Sequence, residues 1–165
     1  MTPAEKFRQT VRNNFKFKLF MLKQLPSAFF SGLKLTEITE QKAVVTIPFK
    51  YLTKNPFRSM YFASQAMAAE LSTGVLALSQ ISGRKPRVSM LVFDMKANFT
   101  KKATSKITFI CENGKEIKNA VEESINTGEG TTVVAKSTGT DKTGAIVSEF
   151  YFTWTFKAKN IAPKL

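Results

Sequence analysis

Histidine is absent from this chain of 165 residues, and cysteine occurs once. The absence of imidazole excludes Ser/His/Asp and Cys/His catalysis and the usual zinc sites. Cys111 has no partner for a disulfide or for a cluster of metal ligands, and it ends the apolar run 107–111, which predicts a core residue. Any chemistry must therefore use carboxylates, hydroxyls, amides, lysine or backbone N–H groups, and we predict no metal site.

Long hydrophobic runs are also lacking. No apolar stretch approaches the ~18 residues of a membrane-spanning helix, and residues 1–24 do not contain an apolar signal region followed by a small-residue cleavage site. We therefore expect a cytoplasmic protein without a transmembrane segment. With 43% hydrophobic and 12% aromatic residues, the chain can fill one core, which predicts a single domain over residues 1–165.

Acidic residues are few. Twelve Asp and Glu stand against 25 Lys and Arg, which gives a net charge of +13 and a pI near 10.0. This charge attracts polyanions and does not choose between nucleic acid, an anionic membrane surface and a phosphorylated small molecule. The sequence contains no zinc-finger spacing, no RNP-like aromatic motif and no helix-turn-helix pattern, so we expect no specific nucleic-acid partner.

The sequence begins with a helix signal. Thr2, Pro3 and Glu5 fit an N-cap, a first helical position and a capping-box glutamate, and they predict a helix over about residues 3–25. Its predicted apolar face consists of Phe7, Val11, Phe15, Leu19 and Leu22. Lysine and arginine occupy its other faces. Such a run is typical of a solvated face, although it could also lie against an anionic surface.

The next 60 residues predict two strands and a long helix. Residues 33–39 and 42–49 read as a hairpin, residues 51–59 as a polar loop, and residues 59–80 as a helix that is apolar nearly all round. A helix of that kind must be covered on nearly all sides.

Four further strands are predicted, over residues 88–100, 105–112, 131–137 and 145–157. Residues 116–125 fit either a short helix or a bulged strand. The predicted buried face of the first of these strands consists of Leu91, Phe93, Met95, Ala97 and Phe99. The order of elements predicts an α+β fold in which one curved antiparallel sheet wraps the long helix.

Glu70 is the residue of the long helix that most needs an explanation. Its neighbours in sequence are mainly alanine, leucine and valine, and glutamate is rarely buried unless it is paired. Desolvation would raise its pKa, which suits an acid or a base. Alternatively, Glu70 points to solvent or to a partner subunit, or an Arg or Lys holds it.

Residues 60–74, followed by residues 88–103, resemble the hotdog fold of thioesterases and dehydratases. Glu70 and Gly74 match the acid-to-glycine spacing of the phenylacetate-pathway thioesterases, and Tyr61 begins a Tyr-Phe-Ala segment where those enzymes have His-Gly-Gly. The segment FDMKANFTKKA, residues 93–103, looks like the family's next strand, which often ends in an Asn-Phe pair, here from Asn98, and a basic residue.

The likeness is closer to an uncharacterised hotdog subgroup, a domain of unknown function. Its central helix has a tyrosine and a phenylalanine at its start, an alanine-rich middle and a glutamate near its end, and its last strand has a tryptophan. Tyr61, Phe62, Glu70, Gly74 and Trp154 fit this pattern. The resemblance covers about residues 33–157 and leaves the N-terminal helix outside the common core.

The resemblance implies a homodimer, possibly a tetramer, whose sheets join edge to edge and whose acyl thioester sites lie between two central helices. Glu70 would be the general base or nucleophile, Asn55 would orient the water or the carbonyl, and Thr73 would hydrogen-bond the water or the carboxylate. The residues implied to contact substrate are Met60, Tyr61, Asn98, Lys101 and Lys102. Coenzyme A would enter only as part of the substrate, with no separate cofactor.

Each of these residues also has a structural interpretation. Asn55 before Pro56 is typical of a turn, Thr73 can bond the carbonyl one helical turn back, and adjacent lysines at a strand end are often solvated. Two functions therefore stay open: an acyl-CoA thioesterase, and a non-catalytic acyl- or lipid-binding protein. A third, more distant interpretation is a polyanion binder, which the charge alone suggests.

Overall fold

The structure is a computed structural model and describes residues 1–159. The helices are α1 (Pro3–Arg12), α2 (Asn14–Gln24), α3 (Pro26–Ser31), α4 (Phe62–Ile81) and α5 (Gly114–Thr127). The strands are β1 (Lys34–Ile38), β2 (Ala43–Ile47), β3 (Val88–Phe99), β4 (Ile107–Cys111), β5 (Gly130–Thr140) and β6 (Ile146–Ala158). A short 3-10 turn occupies Tyr51–Thr53. None of the helices in residues 1–159 has both the length and the apolar composition needed to cross a bilayer.

All six strands form one antiparallel sheet in the order β1-β2-β4-β5-β6-β3. The central helix α4 packs against β2, β4, β5 and β6 and buries most of its surface, as a helix with apolar residues on nearly every face must. This arrangement confirms the predicted α+β hotdog architecture, with additional helices at the N-terminus.

Aromatic side chains fill the space between the sheet and α4. Phe109, Phe150 and Phe156 are fully buried, and the rings of Phe109 and Phe150 meet edge to face with centroids 5.9 Å apart. Cys111 is buried as predicted, and burial raises the pKa of its thiol to about 11, so it remains protonated at neutral pH.

The prediction of one straight N-terminal helix was wrong. The capping box at Thr2 is present, but the helix ends at Arg12, and the Asn13 side chain caps a second helix by accepting a hydrogen bond from the Lys16 N–H. The break changes which face of the second helix packs on the core. In α2 the buried side chains are Phe17 and Met21. Three residues of the predicted apolar face lie on α2 and are exposed: Phe15, Leu19 and Leu22.

The predicted buried face of β3 was also wrong in part. Phe93 lies between Val92 and Asp94 in a bulge, where the pairing of β3 with β6 shifts by one residue. The shift moves β3 out of strict alternation, and Leu91 and Phe93 are 68% and 71% exposed. Met95 and Phe99, also predicted to be buried, are exposed on this edge strand. Beyond the bulge, Ala97 pairs with the buried Phe150.

The ambiguous segment after β4 is a helix, α5, and its side chains Ile117 and Val121 are fully buried. It begins at Gly114, whose N–H donates to the Gln41 carbonyl in the β1–β2 turn. Gly114 is therefore the first residue of the helix and the contact point between α5 and this turn.

Candidate functional site

Glu70 lies near the middle of α4 and is half-buried. Within residues 1–159, its carboxylate has no ion pair and no hydrogen bond. No Arg or Lys of this part of the chain therefore holds Glu70. Burial among apolar neighbours raises the pKa of Glu70. The group therefore has the property expected of an acid or base that is not tied to a structural partner.

A cavity of about 660 Å³ adjoins this carboxylate, a size typical of small-ligand sites. Helices α1, α2 and α4 and strands β3 and β6 supply its walls, and among residues 1–159 Glu70 is the only ionisable side chain in the lining. The apolar lining includes Phe7, Val11, Phe17, Phe20, Leu25, Leu71, Val75, Leu78, Met90, Leu91, Val92 and Trp154. A second pocket of about 250 Å³ contacts the same carboxylate between α3 and α4. Both spaces suit an apolar chain with one polar end at Glu70.

Gly74 explains the acid-to-glycine spacing. A Cβ atom at this position would lie 3.1 Å from Glu70 Oε1 and 3.3 Å from Trp154 Cζ2. Gly74 follows Glu70 by one helical turn, and because it has no side chain, the Glu70 carboxylate and the Trp154 indole ring can both lie close to the α4 backbone at Gly74. Gly74 thus leaves the space that the Glu70 carboxylate occupies beside the cavity.

Thr73 is fully buried, and its contacts differ from those implied for a catalytic hydroxyl. Its Oγ1 donates to the Glu70 carbonyl at 3.0 Å and accepts from Trp154 Nε1 at 3.0 Å. In the described structure, the Thr73 hydroxyl thus hydrogen-bonds to the Glu70 backbone carbonyl and to the indole N–H. It forms no hydrogen bond with the Glu70 carboxylate. Thr73 fixes the position of the ring that forms one wall of the cavity.

A separate pocket of about 610 Å³ opens at the N-terminus of α4. No side chain caps this helix end at Tyr61, so the first N–H groups of α4 remain available there. The predicted site residues in its lining are Asn55, Met60, Tyr61, Lys101 and Lys102. An uncapped helix N-terminus and nearby lysines favour negative charge.

Asn55 organises the loop before α4. Its Oδ1 accepts hydrogen bonds from the Phe57 N–H at 3.0 Å, the Ser59 N–H at 3.2 Å and the Ser59 hydroxyl at 3.2 Å. Its Nδ2 donates to the Met60 carbonyl. These are the contacts of a turn residue, and they place Asn55 beside the N-terminal pocket. That Asn55 orients a water molecule or the substrate carbonyl stays a prediction, which these contacts do not test.

The two predicted lysines differ. Lys101 Nζ lies 2.7 Å from Asp141 Oδ2, and this contact holds the pKa of the Asp141 carboxyl well below its usual range. Lys102 has no ion pair within the described part of the chain and lines the same pocket. Asn98 is exposed, pairs with Glu149 across the strands and does not line this pocket.

Glu70 and the N-terminal pocket are separated within one subunit. Tyr61 and Glu70 are nine positions apart along α4, which corresponds to about 13 Å at the rise of a helix. Apart from Asn98, the predicted site residues therefore form two groups: Glu70 and Thr73 near the apolar cavity, and Asn55, Met60, Tyr61 and the lysines at the helix start.

Two polar residues at these sites escaped the sequence analysis. Gln65 is buried at the N-terminal pocket, accepts from the Ser148 hydroxyl at 2.8 Å and donates to the Met60 carbonyl. Gln24 lines both spaces that contact Glu70. Gln65 could have been found as a polar residue one helical turn after Tyr61 on an apolar helix. No sequence signal indicated Gln24. It is the last residue of α2, and the face of α2 that packs on the core could not be read from the predicted single N-terminal helix.

No group of three or more metal-ligating side chains occurs in residues 1–159. A family model described as a domain of unknown function, DUF4442, matches residues 14–156. No curated protein sequence shows significant similarity to the chain.

Solved structures with the same fold include several thioesterases. A protein of unknown function from Pseudomonas aeruginosa, described as a probable thioesterase, is 20% identical, with a TM-score of 0.74 over 96% of this chain and 97% of that one. The PaaI protein from the phenylacetic acid degradation operon of Escherichia coli is 13% identical, with a TM-score of 0.65 over 96% and 97%. A Haemophilus influenzae thioesterase is 14% identical, with a TM-score of 0.59 over 85% and 88%. These likenesses establish the hotdog fold.

Proposed function

The chain belongs to the DUF4442 family and has the fold of thioesterases, and from this premise we propose that it hydrolyses acyl thioesters, with acyl-CoA as the substrate class. The observation that carries the proposal is the unpaired Glu70 carboxylate on the wall of an apolar cavity of about 660 Å³. An acyl chain fits such a lining, and the carboxylate lies where the polar end of the chain would be.

In the proposed reaction, Glu70 acts as a general base. It takes a proton from water, the water oxygen attacks the thioester carbonyl carbon, the C–S bond breaks, and the departing thiolate receives a proton. The products are a carboxylic acid and free coenzyme A. Direct attack by the carboxylate on the carbonyl carbon is the alternative, and it passes through an anhydride that water then hydrolyses. Backbone N–H groups at the start of α4 would polarise the thioester oxygen.

We propose that two copies of the chain complete the site. Within one subunit, about 13 Å of helix separates Glu70 from the N–H groups at the start of α4, so one substrate carbonyl cannot contact both. Strand β3 is a twelve-residue edge strand with exposed Leu91 and Phe93, and long apolar edges are usually covered. A homodimer joined along β3 would cover this edge and could bring the helix start of one copy to the Glu70 region of the other.

The test is a panel of acyl-CoA esters of increasing chain length, with a thiol reagent that reports free coenzyme A. We expect release of the thiol, with preference for medium or long chains because the cavity is apolar. The absence of release from every ester would contradict hydrolysis. If the purified protein then retained a fatty acid or lipid in native mass spectrometry, the non-catalytic acyl-binding function would replace this proposal.

The variant G74A tests whether the Glu70 position matters. The new methyl group requires the carboxylate and the Trp154 ring to shift by a few tenths of an ångström, whereas alanine in a helix interior is more favourable than glycine by ~1 kcal/mol. We therefore expect a melting temperature close to that of the wild type and a loss of thioester turnover of about tenfold. G130A is the matched control, because nothing lies within 4 Å of that Cβ position, and it should retain full turnover. Equal turnover in G74A and wild type would contradict the assigned position.

A further inference from the structure

The outward face of α2 is an apolar stripe without a partner in residues 1–159. Phe15, Leu19 and Leu22 are 78%, 43% and 42% exposed. They stand at positions i, i+4 and i+7, which lie on one side of a helix. On the opposite side, Phe17 and Met21 are 4% and 1% exposed and fix the helix on the core. The helix is thus apolar on two opposite faces, and the core accounts for only one of them.

Lysines flank this stripe on both sides. At about 100° per residue, Lys18 falls on one side of the stripe and Lys16 and Lys23 fall on the other. All three are exposed, none forms an ion pair within residues 1–159, and α2 contains no acidic residue. A helix that lies in a membrane interface typically has exposed apolar side chains on one face and lysines on both sides of that face, whose long side chains extend away from it.

We propose that the outward face of α2 docks on the surface of an anionic phospholipid bilayer. Phe15, Leu19 and Leu22 would enter the boundary between headgroups and acyl chains, and the flanking lysines would contact the lipid phosphates. The net charge of +13 supplies long-range attraction to the same surface.

The charge of the face argues against a second copy of the chain as its occupant. A symmetric contact between two α2 helices would place three lysines of one copy against three of the other, with no acid on either helix to compensate. An anionic bilayer offers both an apolar layer and negative charge. This docking is independent of hydrolysis, because it is measured without turnover.

The first experiment is co-sedimentation of the full chain with vesicles of phosphatidylcholine containing a quarter phosphatidylglycerol. The variant F15S/L19Q keeps every charge and removes two of the stripe's side chains. We expect its vesicle binding to fall by at least about tenfold. The control V134Q/I146Q removes two exposed apolar side chains from strands β5 and β6 and should bind as the wild type does. Unchanged binding of F15S/L19Q would overturn the proposal.

A second experiment separates local contacts from the general field of the protein. The triple variant K16Q/K18Q/K23Q should weaken vesicle binding about fivefold per lysine. K106Q/K115Q/K142Q removes the same charge from exposed positions outside α2 and should weaken it much less. Equal losses in the two triples would show attraction by net charge alone and would overturn the assignment to α2. Sedimentation velocity decides about self-association: an oligomer that F15S/L19Q dissociates would assign the face to a second copy and would also overturn the proposal.

Discussion

Replacing Glu70 by glutamine is expected to lower kcat for thioester hydrolysis by about 10³-fold, within the range that general bases contribute. Glutamine keeps the size of the side chain and cannot accept the proton of an attacking water. The apolar cavity is unchanged in E70Q, so KM should change little. Steady-state kinetics with the best ester of the panel measures both constants. Full turnover in E70Q would remove Glu70 from the chemistry.

The pH profile gives this prediction a second readout. A base acts in its deprotonated form, so kcat/KM should rise with pH through the pKa of Glu70. Because burial raises that pKa, the acidic limb should lie at higher pH than for a solvated carboxylate. The exposed glutamate variant E123Q is the control and should retain both the limb and the turnover. An identical acidic limb in E70Q would assign that limb to another group.

Stability provides the check that E70Q is folded. Burial disfavours the charged carboxylate, so the native state loses stability as pH rises from the pKa of Glu70 in the unfolded chain to its raised native pKa, and the penalty is constant above the native pKa. Glutamine does not ionise and avoids this penalty. E70Q should therefore gain stability relative to the wild type as pH rises between these two pKa values, and the gain should be constant above the native pKa. A loss of activity together with gained stability is the pattern of a functional residue.

The fold could be predicted because its strongest signals are local. The apolar composition of residues 59–80 predicted the central helix, and the alternation after residue 88 predicted a strand there. The spacing of Glu70 and Gly74 proved to have a physical cause, since the glycine leaves room for the carboxylate. The spacing is visible in the sequence, but only the structure shows that the Trp154 ring also packs in the space left by Gly74.

The faces of two elements could not be predicted, because a single bulge or a single cap changes them. The bulge at Phe93 shifts the pairing by one residue, and a period-two pattern then assigns side chains to the wrong face. Asn13 interrupts the first helix, and α2 has apolar residues on two sides, so periodicity alone cannot decide which side is buried.

The contacts of the candidate site were the least predictable part. Thr73 meets Trp154, which lies 81 positions along the chain, and no short-range pattern indicates that contact. The distance between Asn55 and Glu70 likewise could not be predicted, because it depends on the path of the loop that precedes α4. Residue types with possible roles could be selected from the sequence, but the division of these residues between two pockets required coordinates.

The variant G114A is expected to reduce the free energy of unfolding by about 3 kcal/mol, because a side chain has no space at this position. A Cβ on Gly114 would collide with the Glu40 carbonyl oxygen and would lie 2.5 Å from Gln41 Cα. These are backbone atoms of the turn between β1 and β2, and they cannot rotate away as a flexible side chain can. The N-terminus of α5 would have to move and would loosen its packing on α4 and β5.

Thermal unfolding measures this effect, with an expected decrease in melting temperature of roughly 6–12 °C for a chain of this size. G130A is again the matched control: it makes the same chemical change where nothing lies within 4 Å, so its stability should stay within about 0.5 kcal/mol of the wild type. If both variants melted at the same temperature, α5 would not approach the turn as closely as described. A selective loss in G114A would instead show that a glycine is required at this position because two backbone segments meet there.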